Sequence, residues 1–271
     1  MLLLGMKAAA FAVLRNFAHR LLRGPTRGGH RSADWDAAAR RRHAERIYDT
    51  VAPHLETRDG RDVVGLEVGP GDTLGVCSLC LERGMASRMY AVERFAHPAS
   101  APGVTVVTDE VERIRLPEPV DFALSNDVFE HVRDVPAAFR SVYAALRPGG
   151  RFVSSIDLRG HNAFKNPARP LDFLTCPDWL WRAMFSHVVT TNRVRRSGLA
   201  SAARAAGFEV MEDRALAVTR PEYLRENRQH MLPRYRSLPD DDLSCLQLLL
   251  VLRRPTGSGT GTGNGRGEIA D

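Results

Sequence analysis

The sequence predicts an α/β domain: a three-layer, doubly wound sheet in which seven strands alternate with helices. Two observations carry this prediction. Short apolar runs of strand length recur between residues 63 and 252, and segments with helical periodicity separate them. The first run, residues 63–68, ends in a glycine-rich turn, and a helical pattern starts directly after it, as in sheets that bind nucleotide-containing ligands.

The glycine-rich turn has the spacing Glu67-x-Gly69-x-Gly71. Glycines let a ligand approach the backbone, and the N–H groups of the following helix point at it. The usual dinucleotide fingerprint, Gly-x-Gly-x-x-Gly, is not matched, because Leu74 stands three residues after Gly71. Thr73 stands at the expected start of the helix, and we expect its side chain to cap it.

Composition fits one domain of ordinary size with additional segments. The chain has 271 residues, of which 44% are hydrophobic, enough to bury a full core. Its four cysteines form no disulfide framework and fit a reduced compartment. Cys77 and Cys80 are three residues apart in the predicted helix, so we expect core packing there and not a redox or metal site.

Basic charge is concentrated at the amino terminus. The net charge is +6, and residues 1–46 hold ten Lys/Arg against three acids. The rest of the chain is therefore close to neutral, and we expect no nucleic-acid partner.

Residues 1–33 are predicted to form a basic amphipathic arm, ending in a linker after Gly24. Phe11, Leu14 and Ala18 fall at helical spacing. Lys7 interrupts the apolar run, so residues 1–23 cannot span a membrane, and the order of charges does not fit a signal peptide. Three alternatives stay open: an interfacial helix on anionic lipid, a helix packed on the domain, or a frayed arm. The location expected is cytoplasmic, with peripheral contact at the inner face of the membrane as an option.

The domain itself is predicted over residues 34–254. A helix at 34–55 precedes the first strand, and Pro53 should kink or shorten its last turn. Strand two, 88–92, ends at Glu93, where a carboxylate can accept ribose hydroxyls; a surface glutamate is the alternative. Strand three, 104–107, leads to Asp109, and strand four, 121–126, ends at Asn126.

The second half of the domain continues this alternation. Asp134 should cap the helix after strand four, and the phrase Leu-Arg-Pro-Gly-Gly-Arg-Phe-Val at 146–153 ends that helix and starts strand five. A helix at 198–206 and strand six at 207–218 follow; residues 221–236 form an extra helix or loop, and strand seven covers 245–252. The Gly/Ser/Thr-rich tail, 255–271, should be disordered.

In order and spacing, these motifs resemble the class I, S-adenosylmethionine-dependent methyltransferases. The resemblance implies a Rossmann-like fold with strand seven antiparallel between strands five and six, and S-adenosylmethionine as cofactor. It implies that Gly69 and Gly71 line the methionine part of the cofactor and that Glu67 lies near its amino group. Glu93 would bind the ribose and Asp109 the adenine amino group, and Asn126 completes the predicted cofactor-binding set.

The run after strand four raises a metal question. Asp127-x-x-Glu130-His131 resembles the Glu-x-x-Glu-His cluster that binds a divalent ion in some ubiquinone-pathway O-methyltransferases. In other relatives the Glu-His pair orders the loop beneath the cofactor. Our prediction includes no metal, leaves an ion at these residues open, and counts His131 among the catalytic candidates.

Residues 157–200 interrupt the alternation and are predicted to form a lid or acceptor pocket. In relatives, an Asp-x-x-x-His after strand five faces the acceptor, so His161 is the first candidate for a base. Arg193 and Trp179 are the predicted substrate-binding residues, although the tryptophans could equally be core.

The leading hypothesis is S-adenosylmethionine-dependent O-methylation of a small molecule or glycan. The alternatives are a non-catalytic cofactor-binding or partner protein of this fold and, disfavoured by the glycine spacing, a nicotinamide oxidoreductase.

Overall fold

The computed structural model describes residues 10–18, 35–55, 62–95, 99–161, 164–185 and 191–256. Within these ranges, seven strands form one sheet in the order β3-β2-β1-β4-β5-β7-β6. Strand β7 runs antiparallel to both neighbours, and the other pairs are parallel, which confirms the predicted topology. The strands are β1 Val64–Val68, β2 Arg88–Glu93, β3 Val104–Thr108, β4 Val120–Asn126, β5 Leu146–Asp157, β6 Glu209–Val218 and β7 Cys245–Arg253.

Helices cover both faces of the sheet and its carboxyl edge. In chain order they are α1 10–18, α2 Ala37–Val51, α3 Gly75–Glu82, α4 Val135–Ala145, α5 Asp178–Met184, α6 Arg196–Ala205, α7 Pro221–Asn227, α8 Pro233–Arg236 and α9 Asp240–Ser244.

Two hydrophobic layers hold the sheet between helices. Along β1, alternate residues such as Leu66 face the layer filled by α4 and α6, where Phe139 and Leu199 are fully buried. The opposite layer is filled by α2 and α3, with Tyr48 and Leu79 in its centre. Strands buried on both faces are the reason that the sequence shows apolar runs instead of alternation.

The layer under α2 and α3 settles two predictions. Cys77 and Cys80 are both buried in this cluster, which confirms core packing. Helix α2 ends at Val51 and continues as a 3-10 turn, Ala52–His54, because Pro53 has no N–H for the next helical bond. Helix α3 starts at Gly75, two residues after the expected point.

A third hydrophobic cluster lies at the carboxyl edge. We call residues 164–185 and 221–244 the cap; they are the connections after β5 and β6. The two parts are joined by bonds from Tyr223 Oη to Asp172 Oδ1, 2.9 Å, and from Leu232 N to the Leu174 carbonyl, 3.0 Å. Helix α1 adds Ala12 to the same cluster. The sequence predicted an insertion here, but not the helix α9.

Some predicted boundaries and segments need comment. Strand β5 begins at Leu146, before the Pro-Gly-Gly turn, because Leu146 pairs with Val120 ahead of a register shift. Residues 1–9, 19–34 and 257–271 lie outside the described part, and with them most of the predicted arm and tail. In the ranges that are described, no helix is long and apolar enough to cross a membrane.

An aromatic cluster offers a test of the core. The ring of Phe152 lies 5.4 Å from Phe129 and 6.4 Å from Phe208, centroid to centroid, and its side chain is fully buried. Phe152→Ala should lower the free energy of unfolding by about 3–5 kcal/mol, because it leaves a cavity. Urea denaturation measures the change; Leu216→Ala, on the exposed side of β6, is the control and should cost less than about 1 kcal/mol. Equal losses in the two variants would contradict this packing.

Candidate active site

The carboxyl ends of the parallel strands bring most of the predicted residues to one edge of the sheet. Because β1 to β5 lie side by side and point the same way, their last residues form a continuous row. In spatial order from the β3 end, that row contains Asp109, Glu93, Glu67, Asn126 and Asp157.

The two glycines of the turn serve different purposes. Gly69 has φ +70° and donates its N–H to the Val92 carbonyl at 2.8 Å; a Cβ there would lie 2.5 Å from Val128 Cγ2. Gly71 has φ +74°, but a Cβ there would meet no atom within 4 Å. Packing therefore requires glycine at 69, whereas Gly71 leaves its backbone open to a ligand.

The carboxylate of Glu67 ties the turn to helix α3. Its Oε2 accepts hydrogen bonds from Cys77 N, 3.1 Å, and from Cys77 Sγ, 3.0 Å. Cys77 is the third residue of α3, whose first N–H groups have no partner within the helix. The prediction that Thr73 caps this helix is wrong: the N-cap residue is Leu74, and it makes no side-chain cap bond. Glu67, reaching from β1, takes that role.

Burial sets the acidity of Glu67. The residue is 6% exposed, and desolvation raises its pKa from 4.5 to about 7. The hydrogen bonds from Cys77 act against this, and the negative charge of Glu93 adds to it. Glu67 and Glu93 lie at the carboxyl ends of neighbouring strands, β1 and β2.

At the outer strands, Glu93 and Asp109 are joined through the backbone. Asp109 N donates to the Glu93 carbonyl at 3.1 Å, and Glu93 Oε1 accepts from Phe95 N at 3.3 Å. Asp109 Oδ1 accepts a hydrogen bond from Arg113 Nε at 3.0 Å. A ligand that bound this carboxylate would share it with Arg113.

Next to Glu67, side-chain hydrogen bonds hold the end of β4. Asn126 Nδ2 donates to Asp127 Oδ2 at 3.0 Å, and Gln247 Nε2 donates to Asp127 Oδ1 at 3.0 Å. Asp127 has φ +53°, an uncommon conformation for a residue with a Cβ. Gln247, the one polar break in the apolar run of β7, also bonds Ser155 Oγ at 2.8 Å. Gln247 thus holds the ends of β4 and β5 together.

The two predicted catalytic histidines meet above β4 and β5. The ring centroids of His131 and His161 are 5.1 Å apart and the planes are close to perpendicular, at 73°. His161 Nε2 lies 3.8 Å from Asp157 Oδ2. Burial opposes ionisation of Asp157, but bonds from the Arg159 guanidinium, both 2.7 Å, lower its pKa. Asp157 is therefore an anion beside the imidazole.

A buried polar cluster, not predicted as a site, lies behind the histidines. Glu130 is 2% exposed and neither of its carboxylate oxygens accepts a hydrogen bond of normal geometry. Burial raises its pKa well above the usual value, and the charge of Asp127 adds to the effect. Arg195, equally buried, donates to the carbonyls of Leu158, 2.6 Å, and Cys245, and burial lowers its pKa to about 10. The two residues line a cavity of about 10 Å³, room for about one water molecule.

Among the described residues, no three or more His, Cys, Asp and Glu side chains form a group that could hold an ion. Asp127 bonds Gln247, whereas Glu130 is buried towards Arg195.

The two predicted substrate-binding residues lie in and beside the cap. Arg193 donates to the Cys176 carbonyl at 2.6 Å and to Asp178, and its guanidinium lies 4.6 Å from the centroid of the Trp181 ring. These contacts fix Arg193 in place. Trp179 is 70% exposed on α5, whereas Trp181 is buried, so the two tryptophans divide between surface and core.

Sequence reasoning missed Asp157, Arg195 and Gln247 as site residues. Gln247 carried a signal, because a polar residue in a buried strand needs a polar partner. Asp157 is the acid of the Asp-x-x-x-His pattern that pointed to His161, so the sequence carried a signal for it too. Nothing in the sequence separates Arg195 from its neighbours Arg193 and Arg196, since burial of one arginine depends on tertiary packing.

We compared the chain with protein-family models, curated proteins and solved structures. A family model described as a methyltransferase domain matches residues 37–213, more than half of the chain. The comparison with curated proteins returned no match.

Among solved structures, the partner of the Trm112 methyltransferase activator of Haloferax volcanii has a TM-score of 0.50 at 14% identity, covering 81% of this chain and 95% of that chain. An S-adenosylmethionine-dependent methyltransferase of Mesorhizobium loti has 0.48 at 20% identity, with 78% and 98% covered. The 1,6-didemethyltoxoflavin-N1-methyltransferase of Burkholderia thailandensis, solved with S-adenosylhomocysteine, has 0.48 at 20%, with 91% and 89% covered.

The raised pKa of Glu67 predicts a pH-dependent stability. Since the folded-state pKa, about 7, exceeds the unfolded value of 4.5, the stability it contributes is complete below the unfolded pKa and is lost as pH rises through about 7. Glu67→Gln cannot ionise. It should match the wild type below about pH 4.5 and exceed its free energy of unfolding by ~3 kcal/mol above about pH 8. Urea denaturation across this range checks it; parallel curves for the two proteins would rule out a buried, ionisable Glu67.

Proposed function

Since the chain belongs to the class I, S-adenosylmethionine-dependent methyltransferases, we propose that it transfers the methyl group to an oxygen atom of a small-molecule or glycan acceptor. The observation that carries the acceptor chemistry is the pair His131 and His161 above β4 and β5, with the anionic Asp157 beside it. Such a group can remove the proton of a hydroxyl.

The residues of the turn and the strand ends fit the cofactor of the family. At Gly71 the left-handed backbone has open space where a side chain would be, which suits the methionine part. Glu67 would receive the ammonium group; its pKa of about 7 makes its ionisation sensitive to a nearby cation. Glu93 would accept hydrogen bonds from the ribose hydroxyls. Asp109 would accept from the adenine amino group, and Asn126 completes the proposed cofactor-binding set.

When bound, S-adenosylmethionine supplies an electrophilic methyl carbon on a positively charged sulfur. The protein then has to align the acceptor and keep water out, because methyl transfer of this kind needs no covalent intermediate with the protein. The cap lies over the carboxyl edge and would provide this shield. Beside the cap, Asn192 Nδ2 donates to the carbonyls of Phe129, 2.6 Å, and Val132, 3.0 Å, next to His131.

The proton of the acceptor hydroxyl would pass to Nε2 of His161. This atom is buried and makes no hydrogen bond in the described part of the protein, so no group there competes for the proton. Asp157, 3.8 Å away, would stabilise the imidazolium that forms. His131, edge to face with His161, would hold the ring in position. Arg193 and Trp179 remain our proposal for the outer acceptor contacts.

A non-catalytic role as a cofactor-binding or partner protein is the alternative. The acids Glu67, Glu93 and Asp109 at the ends of β1, β2 and β3 argue against it, because a site that has lost its ligand need not keep all three cofactor partners.

His161→Gln tests the proposed base. It should lower kcat by about 10²–10⁴-fold without changing the affinity for S-adenosylhomocysteine, because Gln cannot take the proton. The measurement is transfer of a radiolabelled methyl group to panels of hydroxyl-bearing and amine-bearing acceptors, with the methylated atom identified by mass spectrometry. His54→Gln is the control; it lies at the opposite end of the sheet beside Glu212 and should leave kcat unchanged. Methylation of nitrogen, or full activity of His161→Gln, would refute the assignment.

A further inference from the structure

Helix α1 is attached to the cap by one face. Ala12 and Asn16, four residues apart, are each 5% exposed. Ala12 belongs to the hydrophobic cluster of the cap, and Asn16 Nδ2 donates to the Ala183 carbonyl of α5 at 2.6 Å. These contacts fix which side of α1 faces the protein and which side faces away.

The side facing away is apolar. Phe11, Leu14 and Phe17 recur every three residues and are 66%, 68% and 63% exposed. A scattered exposed leucine needs no explanation, but two phenylalanines and a leucine in one stripe do. The stripe is also free of negative charge, because residues 10–18 include no acid and one arginine, Arg15.

Helix α5 carries a further exposed aromatic side chain. Trp179, 70% exposed, is four residues before Ala183, whose carbonyl accepts the bond from Asn16, so the two residues share a face of α5. We call Phe11, Leu14, Phe17 and Trp179 the α1–α5 patch.

The charges beside the patch are cationic or neutralised. The single acid of α5, Asp178, is bonded by Arg193 and by Arg234, whose Nη1 lies 2.8 Å from Asp178 Oδ2. Arg182, on the same helix, is exposed. No unpaired acid of α1 or α5 would therefore repel an anionic surface.

We propose that the α1–α5 patch docks on an anionic lipid surface. Exposed Phe, Leu and Trp on one face with arginines around them are typical of helices that lie in the membrane interface. The ten Lys/Arg against three acids within residues 1–46 supply the attraction to negative headgroups. A peripheral mode of binding also agrees with the absence, in the described ranges, of any helix suited to cross a bilayer.

Docking would bring the acceptor side of the site to the membrane. Helix α5 is connected to the histidines by short contacts: Trp181 Nε1 donates to the Thr191 carbonyl at 3.1 Å, and Asn192 N donates to the Glu130 carbonyl at 2.6 Å. If the patch lies on lipid, the acceptor is an amphiphile with a hydroxyl group at the bilayer surface. This consequence rests on the proposed O-methylation; the docking does not.

The test is flotation of the full-length protein with phosphatidylcholine vesicles, with and without phosphatidylglycerol. The wild type should float with the anionic vesicles and remain behind with the neutral ones. The variant Phe11→Ser/Leu14→Ser/Phe17→Ser should lose about tenfold or more in partition. The matched control is Met211→Ser/Leu216→Ser/Val218→Ser, which removes three exposed apolar side chains from β6, and it should float like the wild type.

Tryptophan fluorescence tests the second helix of the patch. Anionic vesicles should shift the emission of the wild type to shorter wavelength, and Trp179→Phe should remove most of that shift, because Trp35 and Trp181 are not part of the patch.

Three results would overturn the docking proposal: equal flotation of the wild type and the patch variant, equal loss in the β6 control, or a lipid-independent dimer of the wild type that the patch variant dissociates. Binding of S-adenosylhomocysteine, measured on the same samples, verifies the fold of each variant. It also separates the two proposals, because normal flotation without cofactor binding would count against the methyltransferase function alone.

Discussion

The carboxylate of Glu67 connects the parts of this protein that have to be placed relative to one another. It starts on a strand buried on both faces and bonds the third residue of α3, so the helix start is fixed to β1 by the side chain of a single acid. The glycine-rich turn between β1 and α3 therefore does not have to supply a side chain that caps the helix. Gly69 packs against Val128, and Gly71 keeps its backbone open. A rigid frame with an accessible backbone is the condition for binding a ligand at this edge.

Acids in different surroundings give the site its chemical asymmetry. Glu67 and Glu130 lose water on folding, and burial raises their pKa values; Asp157 is bonded by Arg159 and stays ionised although partly buried. Surroundings that give neighbouring carboxyl groups different pKa values are typical of sites that carry out acid–base chemistry. The ionised acid stands next to His161, and the acids with raised pKa lie nearer the sheet interior.

The sequence was a good guide wherever local signals and burial agree. Strand positions, the antiparallel β7 and the row from Glu67 to Asp109 follow from apolar runs, turn residues and the family motifs. The residue that satisfies the first N–H groups of α3 was not predictable. Thr73 is a good local candidate, but the carboxylate of Glu67 takes this role, and Glu67 lies ten residues before Cys77, whose N–H it accepts. Arg195 and the contact of Asn16 with Ala183 depend on elements far apart in the chain, and no local pattern encodes them. Motif resemblance predicted His131 and His161 as candidates. The 5.1 Å between their rings depends on the pairing of β4 and β5 in the sheet, which the motifs do not specify.

The most direct test of the account is calorimetric titration of the purified protein with S-adenosylhomocysteine, with NAD(H) titrated in parallel. We expect micromolar binding of the former and none of the latter, and Glu93→Ala should weaken it by about 1–3 kcal/mol through the lost ribose bonds. Binding of NAD(H), or of neither compound, would contradict the cofactor site at the ends of β1, β2 and β3.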